Sequence, residues 1–170
     1  MGESVTDELS TDDLMAYWTV TEEGFRNTYR VLAADIEQAG LPIQWYEVLV
    51  RLLHNPEHRL PMNRLATDID MTSGGYTKLV DRLEAADLVE RVPAVDDRRV
   101  IYTSLTDAGR IAAEQAIARH EVRLREVVMG TLSAEQIQTL ADLMGQLRAA
   151  HQPADDAASE VAGGLVDGSR

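Results

Sequence analysis

The chain has 170 residues, no cysteine and a formal net charge of −13 at pH 7, with 45% hydrophobic and 26% charged residues. This length suits one compact domain, or a small module with helical arms, but not two independent enzyme domains. The lack of cysteine excludes disulfides, thiolate metal sites and thiol-based redox sensing.

The negative charge is concentrated at the two ends of the chain. Residues 1–13 carry five acids and no base, and residues 152–170 carry four acids and one arginine. The part between them is therefore only mildly acidic. We predict that residues 1–9 and 152–170 are disordered acidic tails. No stretch approaches the roughly 18 consecutive apolar residues of a membrane span, so we expect no membrane partner and a cytoplasmic location.

Two helices are predicted first. Ser10 or Thr11 can cap a helix that Gly40 ends, and a second helix is predicted at residues 43–54, ending before Pro56. Apolar residues recur at helical spacing along the first helix and indicate a long amphipathic arm: Leu14, Trp18, Phe25, Tyr29, Leu32 and Ile36.

Two shorter helices follow, joined by a tight turn. The third is predicted at residues 62–68 with Pro61 in its first turn, and Thr72 caps the fourth. Four residues of the fourth helix follow core spacing: Tyr76, Leu79, Val80 and Leu83. Its opposite face then presents Ser73, Gly74, Thr77, Lys78, Asp81 and Arg82.

After the fourth helix the pattern changes to strands. Residues 89–92 and 100–105 predict a β-hairpin, whose tip reads Asp96-Asp97-Arg98-Arg99. Thr106 then caps a fifth helix, and Ser133 caps the last one. This order is typical of a winged helix-turn-helix, a mainly α fold with a small β-hairpin. In this chain the fourth helix would be the recognition helix and the β-hairpin would be the wing, which together read adjacent DNA grooves.

Three segments resemble the MarR family of bacterial transcriptional regulators: GLPIQWYEVLVRL, MNRLATDIDMTSGGYTKLVDRLEAADLVER and VDDRRVIYTSLTDAGR. The most specific element is an Asp-x-Arg wing that runs directly into Leu-Thr-x-x-Gly. The resemblance covers about residues 14–150. It implies an obligate homodimer, built from the first and the last two helices of both chains. It also implies a small-molecule pocket between these helices and the two winged helices.

Domain boundaries follow from this resemblance and from the apolar stripes of the outer helices. We predict a helical dimerisation region at residues 10–40 and 107–151, and a DNA-binding winged helix at residues 41–106. The stripes of the outer helices need a partner. A second copy related by a two-fold axis would place two recognition helices about one turn of DNA apart.

The fourth helix supplies the first group of candidate DNA contacts. Ser73, Thr77 and Lys78 are placed for base edges or nearby phosphates, and Arg82 for a phosphate. The start of this helix supplies three more candidates, Thr72, Gly74 and Gly75, for which two interpretations stay open. The glycines, unusual for the family, either let a phosphate approach the backbone closely or are simply tolerated in a first turn. By itself, the polar face would equally suit a solvated helix.

The wing supplies the second group. Asp97 and Arg99 match the family's Asp-x-Arg pattern, in which the acid braces the loop and the arginine enters the minor groove. Arg98 shares that role or binds phosphate. Without the preceding helices, two acids beside two bases would indicate a self-neutralising turn.

Trp18, Trp45 and Tyr46 are candidates for lining a cavity for a small aromatic or phenolic ligand, although aromatic residues at helical spacing more often belong to the core. His54 and His58 have i,i+4 spacing, but a helix break separates them. We therefore predict no metal site and no cofactor.

No catalytic constellation stands out, so we predict no enzyme. The prediction is a homodimeric, sequence-specific repressor of a pseudo-palindromic operator, released by a small ligand. The alternative is a winged-helix module for protein contacts, which the acidic surface favours.

Overall fold

The computed structural model describes residues 9–95 and 97–151. Asp96 and almost all of the two predicted tails lie outside the described residues. The chain divides into two compact units, Met1–Val127 and Val128–Arg170. In the described residues, no helix is both long and apolar enough to cross a membrane.

The first unit is mainly helical, with a small antiparallel sheet. Its elements in chain order are α1 (Thr11–Gln38), α2 (Ile43–His54), β1 (Arg59–Pro61), α3 (Met62–Asp68), α4 (Ser73–Ala85), β2 (Val89–Pro93), β3 (Ile101–Leu105) and α5 (Asp107–Leu124). A π-helical turn, Arg125–Met129, follows α5, and α6 (Ala134–Ala150) belongs to the second unit. The mainly helical fold class is confirmed.

The sheet has three strands in the order β1-β3-β2, one more than the hairpin that the sequence predicts. β2 and β3 form that hairpin, with Val89 opposite Leu105. β1 adds to the other side of β3, with Leu60 opposite Thr103. Pro61 therefore ends a strand and caps α3, rather than lying in the first turn of α3. An edge strand tolerates proline, because its outer backbone groups need no partner.

Hydroxyl caps fix the starts of four helices. Each cap side chain accepts a hydrogen bond from a backbone N–H three residues later. The caps are Ser10, Thr72, Thr106 and Ser133, and Ser133 forms a full capping box with Gln136. Of the two residues predicted to cap α1, Ser10 is the cap.

The core lies between α2, α3, α4 and the sheet. All four predicted core residues of α4 are buried, together with Val48, Leu49, Leu52, Leu65 and Val89. Tyr76 is the largest of these buried side chains, and its hydroxyl lies 3.2 Å from Thr103 Oγ1. Burial raises the pKa of Tyr76 to about 12. The phenol is therefore neutral and partnered inside the core.

The Leu-Thr-x-x-Gly segment joins α5 to the end of α4. Thr106 Oγ1 donates to the carbonyl of Asp87 at 2.6 Å, and accepts from Gly109 N at 2.9 Å. A Cβ at Gly109 would lie 1.8 Å from the carbonyl oxygen of Leu88. Only glycine allows this approach between α5 and the segment before β2.

Among the described residues, α1 and α6 each expose large apolar side chains. On α1, Leu14, Trp18 and Phe25 are more than half exposed, whereas Leu32 and Ile36 near its end are buried. In the second unit, α6 exposes a stripe of four large residues: Leu140, Leu143, Met144 and Leu147. Exposed stripes of large apolar side chains are typical of interfaces.

Candidate nucleic-acid interface

The polar face of α4 is exposed as the sequence predicts. Thr72, Ser73, Gly74, Thr77, Lys78 and Arg82 are all exposed, and Gly75 is partly buried. The Thr77 hydroxyl donates to the Ser73 carbonyl at 2.8 Å. The hydroxyl uses its one hydrogen in this bond, and its oxygen can still accept a hydrogen bond from a ligand. The contact of these α4 residues with DNA stays a prediction.

The two glycines of α4 differ in their surroundings. A Cβ on Gly74 would meet nothing within 4 Å, whereas a Cβ on Gly75 would lie 3.2 Å from Thr72 Oγ1 and 3.3 Å from Met71 Cε. Nothing in the described part of the chain therefore requires glycine at position 74. Both interpretations of the pair stay open.

The wing tip is braced by a carboxylate. Asp97 accepts hydrogen bonds from three nitrogens of Arg99: backbone N at 3.0 Å, Nε at 3.1 Å and Nη2 at 3.1 Å. These bonds hold the pKa of the Asp97 carboxyl below its usual value. The Arg99 side chain is nevertheless 91% exposed, and Arg98 beside it is also exposed. The brace thus orients Arg99 without burying its charge.

A groove of about 420 Å³ runs between α3, α4 and the wing. It is lined by Met62, Asn63, Ser73, Tyr76, Thr77, Arg99, Val100 and Ile101. The groove brings Ser73, Thr77 and Arg99 together, but Lys78, Arg82 and Arg98 do not line it. Asn63 is a polar lining residue that the sequence analysis did not select. An exposed asparagine on the helix before the recognition helix was its only signal.

A second feature missed by the sequence analysis is the attachment of the wing to α4. From β2, Arg91 N donates to Glu84 Oε1 at 2.9 Å, and Arg91 Nη1 bonds to Glu84 Oε2. Its Nη2 donates to Asp81 Oδ1 at 2.7 Å and to the Thr77 carbonyl at 3.1 Å. One arginine thus spans two turns of the recognition helix. Sequence spacing gives no hint of these contacts, because they form across the turn between helix and strand.

The turn between α3 and α4 is held from α2. Arg51 Nη2 donates to the Asp68 carbonyl at the end of α3, at 2.8 Å. Asp70 then adopts a left-handed conformation, with φ of 54°, and Met71 N donates to the Ala66 carbonyl at 2.8 Å. The orientation of α4 relative to α3 is therefore fixed by hydrogen bonds as well as by the core.

The three predicted ligand residues occupy different environments. Trp18 is 54% exposed on α1, Trp45 packs against the core, and Tyr46 is partly buried with its ring 5.3 Å from that of His120. A cavity of about 220 Å³ lies instead between the end of α1 and α5. It is lined by Ile36, Ala39, Gly40, Leu41, Ala112, Gln115, Ala116 and Arg119. None of the three aromatic residues lines this cavity.

Metal-binding side chains do not cluster in the described residues. No group of three or more histidine, aspartate or glutamate side chains there could hold an ion. The rings of Tyr46 and His120 contact each other between α2 and α5.

Comparison with known proteins identifies the fold. A family model described as MarR family matches residues 39–100. The chain is 30% identical over 130 residues to the HTH-type transcriptional repressor MdtR of Bacillus subtilis (strain 168), covering 76% of this chain and 83% of that protein.

Two solved structures from Streptomyces coelicolor are also similar, and both are MarR family transcriptional regulators. AbsC has a TM-score of 0.70 and 26% identity, covering 84% of this chain and 98% of that chain. Sco3205, in complex with DNA, has a TM-score of 0.69 and 25% identity, covering 86% of this chain and 92% of that chain. The braced wing, the recognition helix and these matches lead to one conclusion: the chain belongs to the MarR family of transcriptional regulators.

Proposed function

We propose that this protein is a homodimeric, sequence-specific DNA-binding repressor. One observation carries the proposal: Ser73, Thr77 and the exposed Arg99 line a single groove between α4 and the wing. Hydroxyls and amides suit base edges and phosphates, and an exposed arginine on a wing suits the minor groove. The complex of the similar protein Sco3205 with DNA supports the same role here.

A second copy of the chain would cover the exposed apolar residues of α1 and α6. A two-fold axis would then present two recognition helices to one side of the duplex, so that a pseudo-palindromic site is bound. DNA binding also implies that the protein acts in the cytoplasm, where the chromosome lies.

Release from DNA would follow the binding of a small aromatic or phenolic molecule. The cavity between α1 and α5 has a mainly apolar lining, and Gln115 and Arg119 supply hydrogen-bond donors. Arg119 suits a carboxylate or phenolate, because guanidinium stays charged at every physiological pH. A ligand there would change the spacing of the two winged helices, so that both half-sites could no longer be met.

Selection of duplex DNA from a random library by the purified full chain tests this function. We expect enrichment of a pseudo-palindromic site, and an affinity that falls steeply as salt rises. Arg99→Ala should weaken binding, whereas Arg59→Ala, which removes a partly buried arginine from the far edge of the sheet, should not. If no sequence is enriched and binding does not depend on salt, the function is wrong and the protein-contact module becomes the better interpretation.

A further inference from the structure

We propose that Arg91 is a positioning residue for DNA recognition, and that it acts by neutralising and holding Asp81 and Glu84 on the recognition helix. This role rests on the proposed DNA-binding function. Arg91 itself lies on β2 and its side chain is only 26% exposed. It contacts α4 along the side that also carries the candidate base-reading residues.

The spacing along α4 explains why these two acids matter. Ser73, Thr77, Asp81 and Glu84 follow one another at intervals of four, four and three residues, so they share one side of the helix. The first two line the groove towards the wing. The acids continue the same face one and two turns further on. Without a counter-ion, they would place two negative charges beside the DNA backbone.

Arg91 supplies that counter-ion with a geometry that lysine cannot copy. Its Nη1 bonds to Glu84, while its Nη2 bonds to Asp81 and also to the Thr77 carbonyl. The planar guanidinium therefore reaches three acceptors on three positions of α4 at once. The backbone N–H of Arg91 adds a bond to Glu84 at 2.9 Å. These bonds hold the helix against the wing, and they give both carboxylates a cationic partner.

Loss of Arg91 should have a measurable effect on DNA binding. Asp81 remains 59% exposed, so an unpaired carboxylate there would face solvent and bound DNA alike. Like charges brought together at an interface weaken association, and closely paired charges couple strongly. The effect of losing Arg91 should therefore depend on the two carboxylates.

Four proteins form the test: wild type, R91M, D81N/E84Q, and R91M/D81N/E84Q. Methionine keeps most of the side-chain volume while removing the charge. Affinity is measured on the duplex that wild type selects, and thermal unfolding checks that each variant folds. We expect R91M to weaken binding by about tenfold, and the triple variant to bind within about threefold of D81N/E84Q. Arg59→Ala serves as the matched control, since Arg59 pairs with Glu57 and Tyr102 rather than with α4.

Two results would overturn the role of Arg91. One is that R91M binds DNA as well as wild type does. The other is that R91M weakens binding as much in the D81N/E84Q background as in wild type, which would mark a purely structural contribution. If R91M does not fold, R91K replaces it: it should bind more weakly than wild type and recover when D81N/E84Q is added. If wild type selects no duplex, the proposed DNA-binding function is wrong. That result is obtained with wild type alone, so it is distinct from a failure of the role of Arg91.

Discussion

The junction of α4, β2 and α5 is tightly packed, whereas the surface formed by α4 and the wing leaves space around its side chains. Two glycines show the contrast. A Cβ on Gly109 would collide with the Leu88 carbonyl at 1.8 Å, but a Cβ on Gly74 would meet nothing within 4 Å. We therefore expect stability and DNA recognition to depend on separate residues of this module. Substitutions should separate the two properties.

Gly109→Ala should have the largest effect. The added methyl group would lie on a backbone carbonyl, which cannot move without displacing the start of β2. We expect a loss of about 3 kcal/mol or more in the free energy of unfolding, measured by denaturant titration. Gly145→Ala in α6 is the control, because its Cβ has open space and should stabilise slightly. Equal stability of G109A and wild type would contradict the packed junction.

Arg99→Ala should reduce DNA affinity by about 10- to 100-fold, which corresponds to about 1–3 kcal/mol. The Arg99 side chain is 91% exposed and its bonds among the described residues go to Asp97 in the same loop, so the midpoint of thermal unfolding should hardly change. If Arg99→Ala lowered the midpoint of thermal unfolding but left DNA affinity unchanged, Arg99 would contribute to stability rather than to DNA binding, which would contradict the prediction.

Thr106→Val should lower the free energy of unfolding by about 1–2 kcal/mol. The substitution keeps the shape of the side chain but removes the cap of α5 and the bond to the Asp87 carbonyl. Thr77→Val, which loses only an exposed bond within α4, is the matched control for stability. If both variants lost the same free energy of unfolding, the bonds of Thr106 at the junction would stabilise the fold no more than an exposed bond within α4.

Gly74→Ala should raise the free energy of unfolding by about 0.5 kcal/mol, because alanine favours the helical backbone. The same protein distinguishes the two interpretations of the glycine pair. A fall in DNA affinity would indicate close approach of a phosphate to the helix start, and unchanged affinity would indicate a tolerated glycine.

Acidity should affect the wing least. Because bonds from Arg99 depress the pKa of Asp97, the carboxylate form is favoured and the brace is lost only as pH falls through that lowered value. DNA affinity, measured by fluorescence anisotropy at constant ionic strength, should therefore show no transition from Asp97 between about pH 5 and pH 8. Asp97→Asn should bind more weakly throughout that range. A transition near neutral pH that disappears in Asp97→Asn would contradict the brace.

Local signals explain why so much of the fold follows from the sequence. Thr72, Thr106 and Ser133 mark helix starts, and the spacing of Tyr76, Leu79, Val80 and Leu83 correctly predicts the buried side of α4. β1 was missed because three residues that end in proline carry almost no strand signal. The π-helical turn after α5 was also missed, since the apolar stripe continues through it.

The candidate site was predicted less completely. The Asp97–Arg99 brace follows from a local motif, and its hydrogen bonds are present. Asn63 and Arg91 were missed, because their relation to the groove depends on tertiary contacts between separate elements. The DNA contacts of the selected residues stay predictions.

A footprint of the purified protein on the duplex that it selects tests the central claim most directly. The account predicts two protected half-sites whose centres lie about one helical turn apart, each with a minor-groove contact that Arg99→Ala removes. A single half-site, or no protection at all, would contradict a dimer that reads DNA with its recognition helices and wings.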